Sequence, residues 1–214
     1  MKLIDFTLKN FAEEVESLSP APGGGSCSAY SSAVGVCLAR MMANLSFNKK
    51  KYEAHDEKIK AQFTDSFEAL ETVKNELLDL VDKDTESFNE VMKAFKLPKE
   101  TEEEKELRKE AIQKATWLSI ETPYRVAELT LDAMKKMKVI YEYGNENALS
   151  DVGVGYGMCA LGAEGAILNV KINLGSISDV EKAKQMEDKC NAMLEEVTTL
   201  RNEILSAVHS KLKL

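Results

Sequence analysis

Three features of this chain have the residue types and spacing to do chemistry: a carboxylate in an apolar seam, glycines ahead of a helix, and paired asparagines. Leu70, Leu77, Val81, Phe88, Val91 and Phe95 recur at helical spacings, and Asp84 falls on the same face. A carboxylate in such a seam is costly unless it is paired or put to use. Burial also raises its pKa, which suits a group that takes and gives a proton near neutral pH. A structural polar contact is the competing reading of Asp84. Asp82, two residues earlier, turns toward a more polar side with Thr85 and Asn89.

The run Pro22-Gly23-Gly24-Gly25-Ser26 directly precedes a helix. Bare backbone N–H groups and the positive end of the helix make Gly24, Gly25 and Ser26 candidates for holding an anion, against the plainer reading of a flexible helix start. It is not a Walker loop, because the Lys-Ser/Thr ending and a preceding strand are missing. Lys49, Lys50 and Lys51 form the main basic cluster. They complement a helix end and would equally attract carboxylates. Asn145, Asn147 and Asp151 belong to a turn-and-cap sequence, a structural role that competes with ligand binding. Asn169 and Asn173 lie four apart, so a helix would set them on one face, where they would read the amide-like edge of a flat heterocycle. The Gly153-Val-Gly-Tyr-Gly157 run is not read as a dinucleotide loop, since no strand precedes it.

Helices must position these groups. Between about residue 53 and 95 neither Gly nor Pro occurs, which predicts one long amphipathic helix, or two with a slight break. Leu97-Pro98 ends it, and Thr101 with Glu104 forms a capping box for a helix reaching about Tyr143, kinked near Pro123 and stopped by Gly144. A short helix from Thr7, a small-residue helix from the glycine loop to about Phe47, another starting at Ser150-Asp151, and a last one over about 178–212 complete the set. Leu168–Leu174 alternates like a strand but stands alone, and is left as extended or helical. The fold class expected is an all-α bundle of long helices, read as one domain over residues 1–214. The small-residue stretches Ala29–Ala43 and Gly153–Ala166 allow close backbone approach, either inside the subunit or at a subunit contact.

Composition narrows the function classes. The formal net charge of −8 argues against a nucleic-acid partner. No apolar run approaches the roughly 18–20 residues that span a bilayer, and the acidic start lacks an export core, so a cytoplasmic protein is expected. Cys27, Cys37, Cys159 and Cys190 are scattered, far from His55 and His209, so no zinc-type metal site is expected and the thiols read as mostly buried.

Four stretches in order resemble the cyclodeaminase/cyclohydrolase family, over nearly the whole chain. They are Ala21-Pro-Gly-Gly-Gly-Ser26 with Lys49-Lys50, Leu80-Val-Asp-Lys-Asp-Thr-Glu-Ser-Phe88, Gly144-Asn145 with Ser150-Asp151, and Glu164-Gly with Asn169-Val-Lys-Ile-Asn-Leu174. That family includes the cyclodeaminase half of formiminotransferase-cyclodeaminase and stand-alone methenyltetrahydrofolate cyclohydrolases. Asn48 stands where relatives often have Gly, and Gly153, Gly155 and Gly157 fall in a stretch that is more Ala-rich in relatives. The resemblance implies a helical homodimer with sites near the subunit contact, a tetrahydrofolate derivative as substrate and no tightly bound cofactor. It implies Asp84 as the proton-transfer residue, Lys49, Lys50 and the Gly24–Ser26 helix start on the glutamate tail, and Asn145, Asn147, Asp151, Asn169 and Asn173 at the pterin edge. Cyclodeaminase is the preferred reaction and cyclohydrolase the alternative. A non-enzymatic dimerising scaffold with Asp84 as a register-setting residue is the reading from a different class.

Overall fold

The computed structural model describes residues 2–212, and its α-helices are α1 (Leu8–Val15), α2 (Gly24–Asn44), α3 (Lys50–Glu53), α4 (Glu57–Phe95), α5 (Glu102–Tyr143), α6 (Leu149–Leu174) and α7 (Val180–Lys211). Two 3₁₀ turns, Leu3–Asp5 and Glu146–Ala148, complete the elements, and no strand occurs among the described residues. The all-α expectation therefore holds. The segment left open at 168–174 is the last part of α6. The long helix predicted from about residue 53 begins at Glu57 instead. Asp56 caps it by accepting from the Ile59 N–H, which separates it from the single turn of α3.

Each start follows from local chemistry. Thr7 caps α1, and Thr101 with Glu104 forms the expected capping box on α5. Asn48 holds the positive φ of 62° between α2 and α3, a conformation that its short polar side chain tolerates. Pro123 does not end α5, which runs through it to Tyr143.

The small-residue helix α2 packs against α6, α4 and α5. Its contact with α6 is close enough that a Cβ on Gly35 would stand 2.6 Å from the Gly155 carbonyl oxygen and from Cys159 Sγ. Within the 153–157 run, Gly155 serves this packing and Gly153 the contact with Val208 of α7, while Gly157 faces open space. The small-residue faces meet inside the subunit. The opposite side of α6 leaves Val154, Leu161, Leu168 and Ile172 exposed.

Along α4 the apolar seam changes character. Phe63, Leu70, Leu77 and Val81 are buried, each such side chain contributing roughly 1.5–3 kcal/mol. Past Asp84, Phe88 and Val91 are only half-buried and Phe95 is exposed. The seam thus opens into a cleft at Asp84 instead of sealing it in the core. Asp82, on the side it shares with Thr85 and Asn89, is covered by the N-terminal turn. Its Oδ1 accepts from the Leu3 N–H at 2.6 Å and pins the N-terminal turn to α4, while Oδ2 is the one buried side-chain oxygen or nitrogen among the described residues without a partner. Cys159 and Cys190 are buried as expected, but Cys27 is half-buried and Cys37 is exposed.

Candidate active site

A cleft of about 250 Å³ opens at the N-terminus of α2, lined by Pro20, Ala21, Gly23–Gly25, Asp84, Ser87, Phe88, Val91, Ser119, Asn169, Ile172 and Asn173. Four helices contribute. α2 supplies glycines, α4 the carboxylate, α6 the two asparagines, and α5 the Ser119 turn.

Glycine at position 25 is dictated by contact. A Cβ there would fall on the Asp84 carboxylate, and one on Gly24 would press to 3.1 Å from Asn169 Nδ2. Bare backbone lets the carboxylate of α4 lie against the first turn of α2, whose N-cap residue Gly23 offers no side-chain cap. The positive end of α2 therefore faces a protein carboxylate, where sequence reasoning placed a ligand anion.

Ser26 is likewise inward. It is fully buried, and its hydroxyl lies 2.8 Å from the Val81 carbonyl oxygen, 3.1 Å from Asp84 Oδ2 and 3.3 Å from Thr85 Oγ1. It is turned to protein groups and does not line the cleft, which corrects its assignment as an anion holder. One hydroxyl proton serves two acceptors, so it can turn toward an ionised Asp84 or toward Val81 O when Asp84 is protonated. Burial pushes the Asp84 carboxyl above its ordinary value, and the hydroxyl and backbone N–H of Ser26 only partly offset this. A half-buried carboxyl at a cleft, with its proton affinity raised by burial, is suited to proton transfer.

Asn169 and Asn173 share the cleft face of α6, as their spacing requires. Asn169 Nδ2 donates to the Gly165 carbonyl at 2.8 Å. Asn173 Nδ2 donates to Ser119 O at 3.2 Å and to Asn169 O at 3.0 Å. Ser87 and Ser119 also line the cleft and were not anticipated. Small polar residues inside helices give no periodic signal.

The remaining predicted residues lie elsewhere. A second cleft of about 230 Å³, at the other end of α2, is lined by Ser46, Lys49, Lys51, Tyr52, Tyr143, Gly144, Asn145, Glu146 and Asn147. The 21 residues of α2 span about 30 Å, so in one subunit Lys49 cannot share a ligand anion with Gly24 and Gly25. Lys50 opens α3 and does not line this cleft. Lys51 is engaged by Glu146 at 2.8 Å. Asn145 is structural: its amide Nδ2 donates to Leu45 O at 2.9 Å, its Oδ1 accepts from the Asn147 N–H, and its own N–H donates to Ser46 Oγ. Asp151 sits in the first turn of α6, outside the lining of both clefts. No group of three or more His, Cys, Asp or Glu able to hold a metal occurs among the described residues. Among the described residues, no helix is long and apolar enough to cross a membrane.

Comparison with known proteins places this architecture. Residues 7–192 match the family model described as formiminotransferase-cyclodeaminase. The methenyltetrahydrofolate cyclohydrolase of Methylorubrum extorquens is 32% identical over 205 residues, covering 96% of this chain and 97% of that protein. The formimidoyltransferase-cyclodeaminase of Mus musculus is 29% identical over 209 residues, covering 98% of this chain but only 38% of the longer mouse protein. The crystal structure of formiminotetrahydrofolate cyclodeaminase from Thermotoga maritima superposes with a TM-score of 0.79 at 28% identity, covering 95% of this chain and 98% of that one. On a family match over most of its length and on helices that superpose with a solved relative, this chain belongs to the formiminotransferase-cyclodeaminase family, as a cyclodeaminase domain related to the methenyltetrahydrofolate cyclohydrolases.

Proposed function

We propose that the chain is a formimidoyltetrahydrofolate cyclodeaminase, acting in the cytoplasm, with Asp84 as its proton carrier. The observation that carries this reading is the half-buried Asp84 carboxyl, pushed above its ordinary range at the mouth of a cleft. The substrate carries its own nucleophile, so the protein's task is to fold it and to manage protons. N10 attacks the formimidoyl carbon, and Asp84 takes the N10 proton as the N10–carbon bond forms. Asp84 returns that proton to the former imine nitrogen. A second proton, from solvent, makes this nitrogen a leaving ammonia, and the carbon–nitrogen bond breaks to give 5,10-methenyltetrahydrofolate.

The substrate is longer than the Asp84 cleft, and the lysine cleft lies at the far end of α2. We read the two as halves of one site completed by a second copy. Val154, Leu161, Leu168 and Ile172 form an exposed apolar stripe along α6, with spacings of seven, seven and four. Antiparallel α6–α6 pairing about a two-fold axis would bury this stripe. It would also bring the partner's lysine end beside the Asp84 end, so that the glutamate tail reaches Lys49. Leu161→Glu should then give a monomer by light scattering and weaken folate binding. A dimer unchanged by that substitution would sink the pairing.

A cyclohydrolase is the second reading, favoured by full-length similarity to the Methylorubrum enzyme. There, water attacks the methenyl carbon and Asp84 takes its proton. Following methenyltetrahydrofolate absorbance and ammonia together, with 5-formimidoyltetrahydrofolate supplied, separates the two. Joint appearance faster than the uncatalysed reaction supports the cyclodeaminase. Hydrolysis of supplied methenyltetrahydrofolate without acceleration of ammonia release supports the cyclohydrolase. Inactivity in both assays returns the chain to the scaffold reading.

A further inference from the structure

Pro123 lies inside α5, where a proline removes one ladder hydrogen bond and its ring crowds the carbonyl four residues earlier. That carbonyl belongs to Ser119, which lines the Asp84 cleft. The Ser119 oxygen is not left without a donor, because the Asn173 amide of α6 donates to it at 3.2 Å. The second Nδ2 proton of Asn173 goes to Asn169 O at 3.0 Å. Both neighbours are carbonyl oxygens, so only the nitrogen of the amide can face them, and the orientation is fixed. Oδ1 of Asn173 is left as the unpaired atom of that side chain, and it is not buried.

We propose that Pro123 is a positioning residue for ligand recognition: by freeing the Ser119 carbonyl it pins the Asn173 amide, so that this wall of the cleft presents an acceptor and selects a ring N–H. The proposal rests on the reading that the Asp84 cleft holds the heterocycle of the substrate, and it adds the chemical sense of the contact. A reduced pterin carries ring and amino N–H groups that satisfy such an acceptor. A heterocycle presenting only acceptors on that edge would leave Asn173 Oδ1 facing a lone pair. The device is economical in sequence. An N–H restored at position 123 would compete with the Asn173 amide for the Ser119 carbonyl, drawing that oxygen into the α5 ladder and loosening its hold on the amide.

The test uses Pro123→Ala and Asn173→Ala in the full chain, with 5-formyltetrahydrofolate as the binding probe. Alanine is the better helix former, so Pro123→Ala is expected to fold. Both single variants should weaken binding about tenfold, the size of one lost hydrogen bond to a ligand. The double variant should be no weaker than Asn173→Ala alone, because the two residues act through one contact. Unchanged binding by Pro123→Ala, or independent losses that multiply in the double variant, would overturn the proposal. In the ligand-free protein, the Asn173 side-chain amide should give two distinct, slowly exchanging proton signals that merge or shift in Pro123→Ala. Should wild type bind no folate, the folate reading fails by itself. Pinning is then judged by those signals, and their persistence in Pro123→Ala would overturn it.

Discussion

The two ends of α2 are built from the same resources, short polar residues and helix termini, yet they do opposite things. At the Gly24 end, glycines admit a carboxylate from α4, and burial holds it above its ordinary range. At the Asn44 end, Asn145 spends its side chain on Leu45 and Asn147, and the lysines stay at the surface. One end accepts the cost of a half-buried charge, as sites for chemistry do. The other satisfies its polar groups locally, as a joint does. A charge in solvent attracts, whereas a charge kept from solvent changes its affinity for protons.

Gly25→Ala breaks the first end most directly. The added methyl falls on the Asp84 carboxylate, and displacing a reacting group by an ångström costs roughly a hundredfold in turnover. Circular dichroism should still report a helical protein, and kcat should fall more than KM rises. At the other end Asn145→Ala removes one bond to the neighbouring Asn147 and one to Leu45 at the end of α2, and about 1–2 kcal/mol of stability should be lost in urea unfolding, with kcat unaffected. Lys49→Gln should have the smallest effect, raising KM about threefold with kcat unchanged. That rise should fade in roughly 1 M salt, where exposed charges are screened within about 3 Å.

How much of this was legible in the sequence follows from the range of the forces involved. The long helices, the capping box and the singular position of Asp84 are carried by periodicity and by neighbours three or four residues away. Asn169 and Asn173 were placed on one face by the same rule once the segment proved helical. What the sequence did not reveal was which distant groups meet. Ser26 and Lys49 were joined in one anion site, whereas the length of α2 separates them and Ser26 turns inward to Asp84. Asn145 has the same residue type as Asn173, but its side chain bonds the Leu45 carbonyl at the far end of α2 and the Asn147 N–H, away from the Asp84 cleft. The role of Pro123 was hidden because the donor to the carbonyl it frees comes from another helix, 54 residues away in sequence.

Asp84→Asn tests the central claim most directly, with turnover of 5-formimidoyltetrahydrofolate and melting temperature measured on the same preparation at pH 7. Between its ordinary and raised pKa, folded Asp84 keeps a proton that the unfolded chain has released. Its contribution to stability is therefore greatest below the ordinary range and falls as pH rises through that window. Asparagine has no charge to bury and removes that loss. The account predicts turnover reduced at least about a hundredfold, with a melting temperature equal to or above wild type. Near-normal turnover in a folded variant would contradict Asp84 as the proton carrier, and a large drop in melting temperature would show that Asp84 holds the fold together instead.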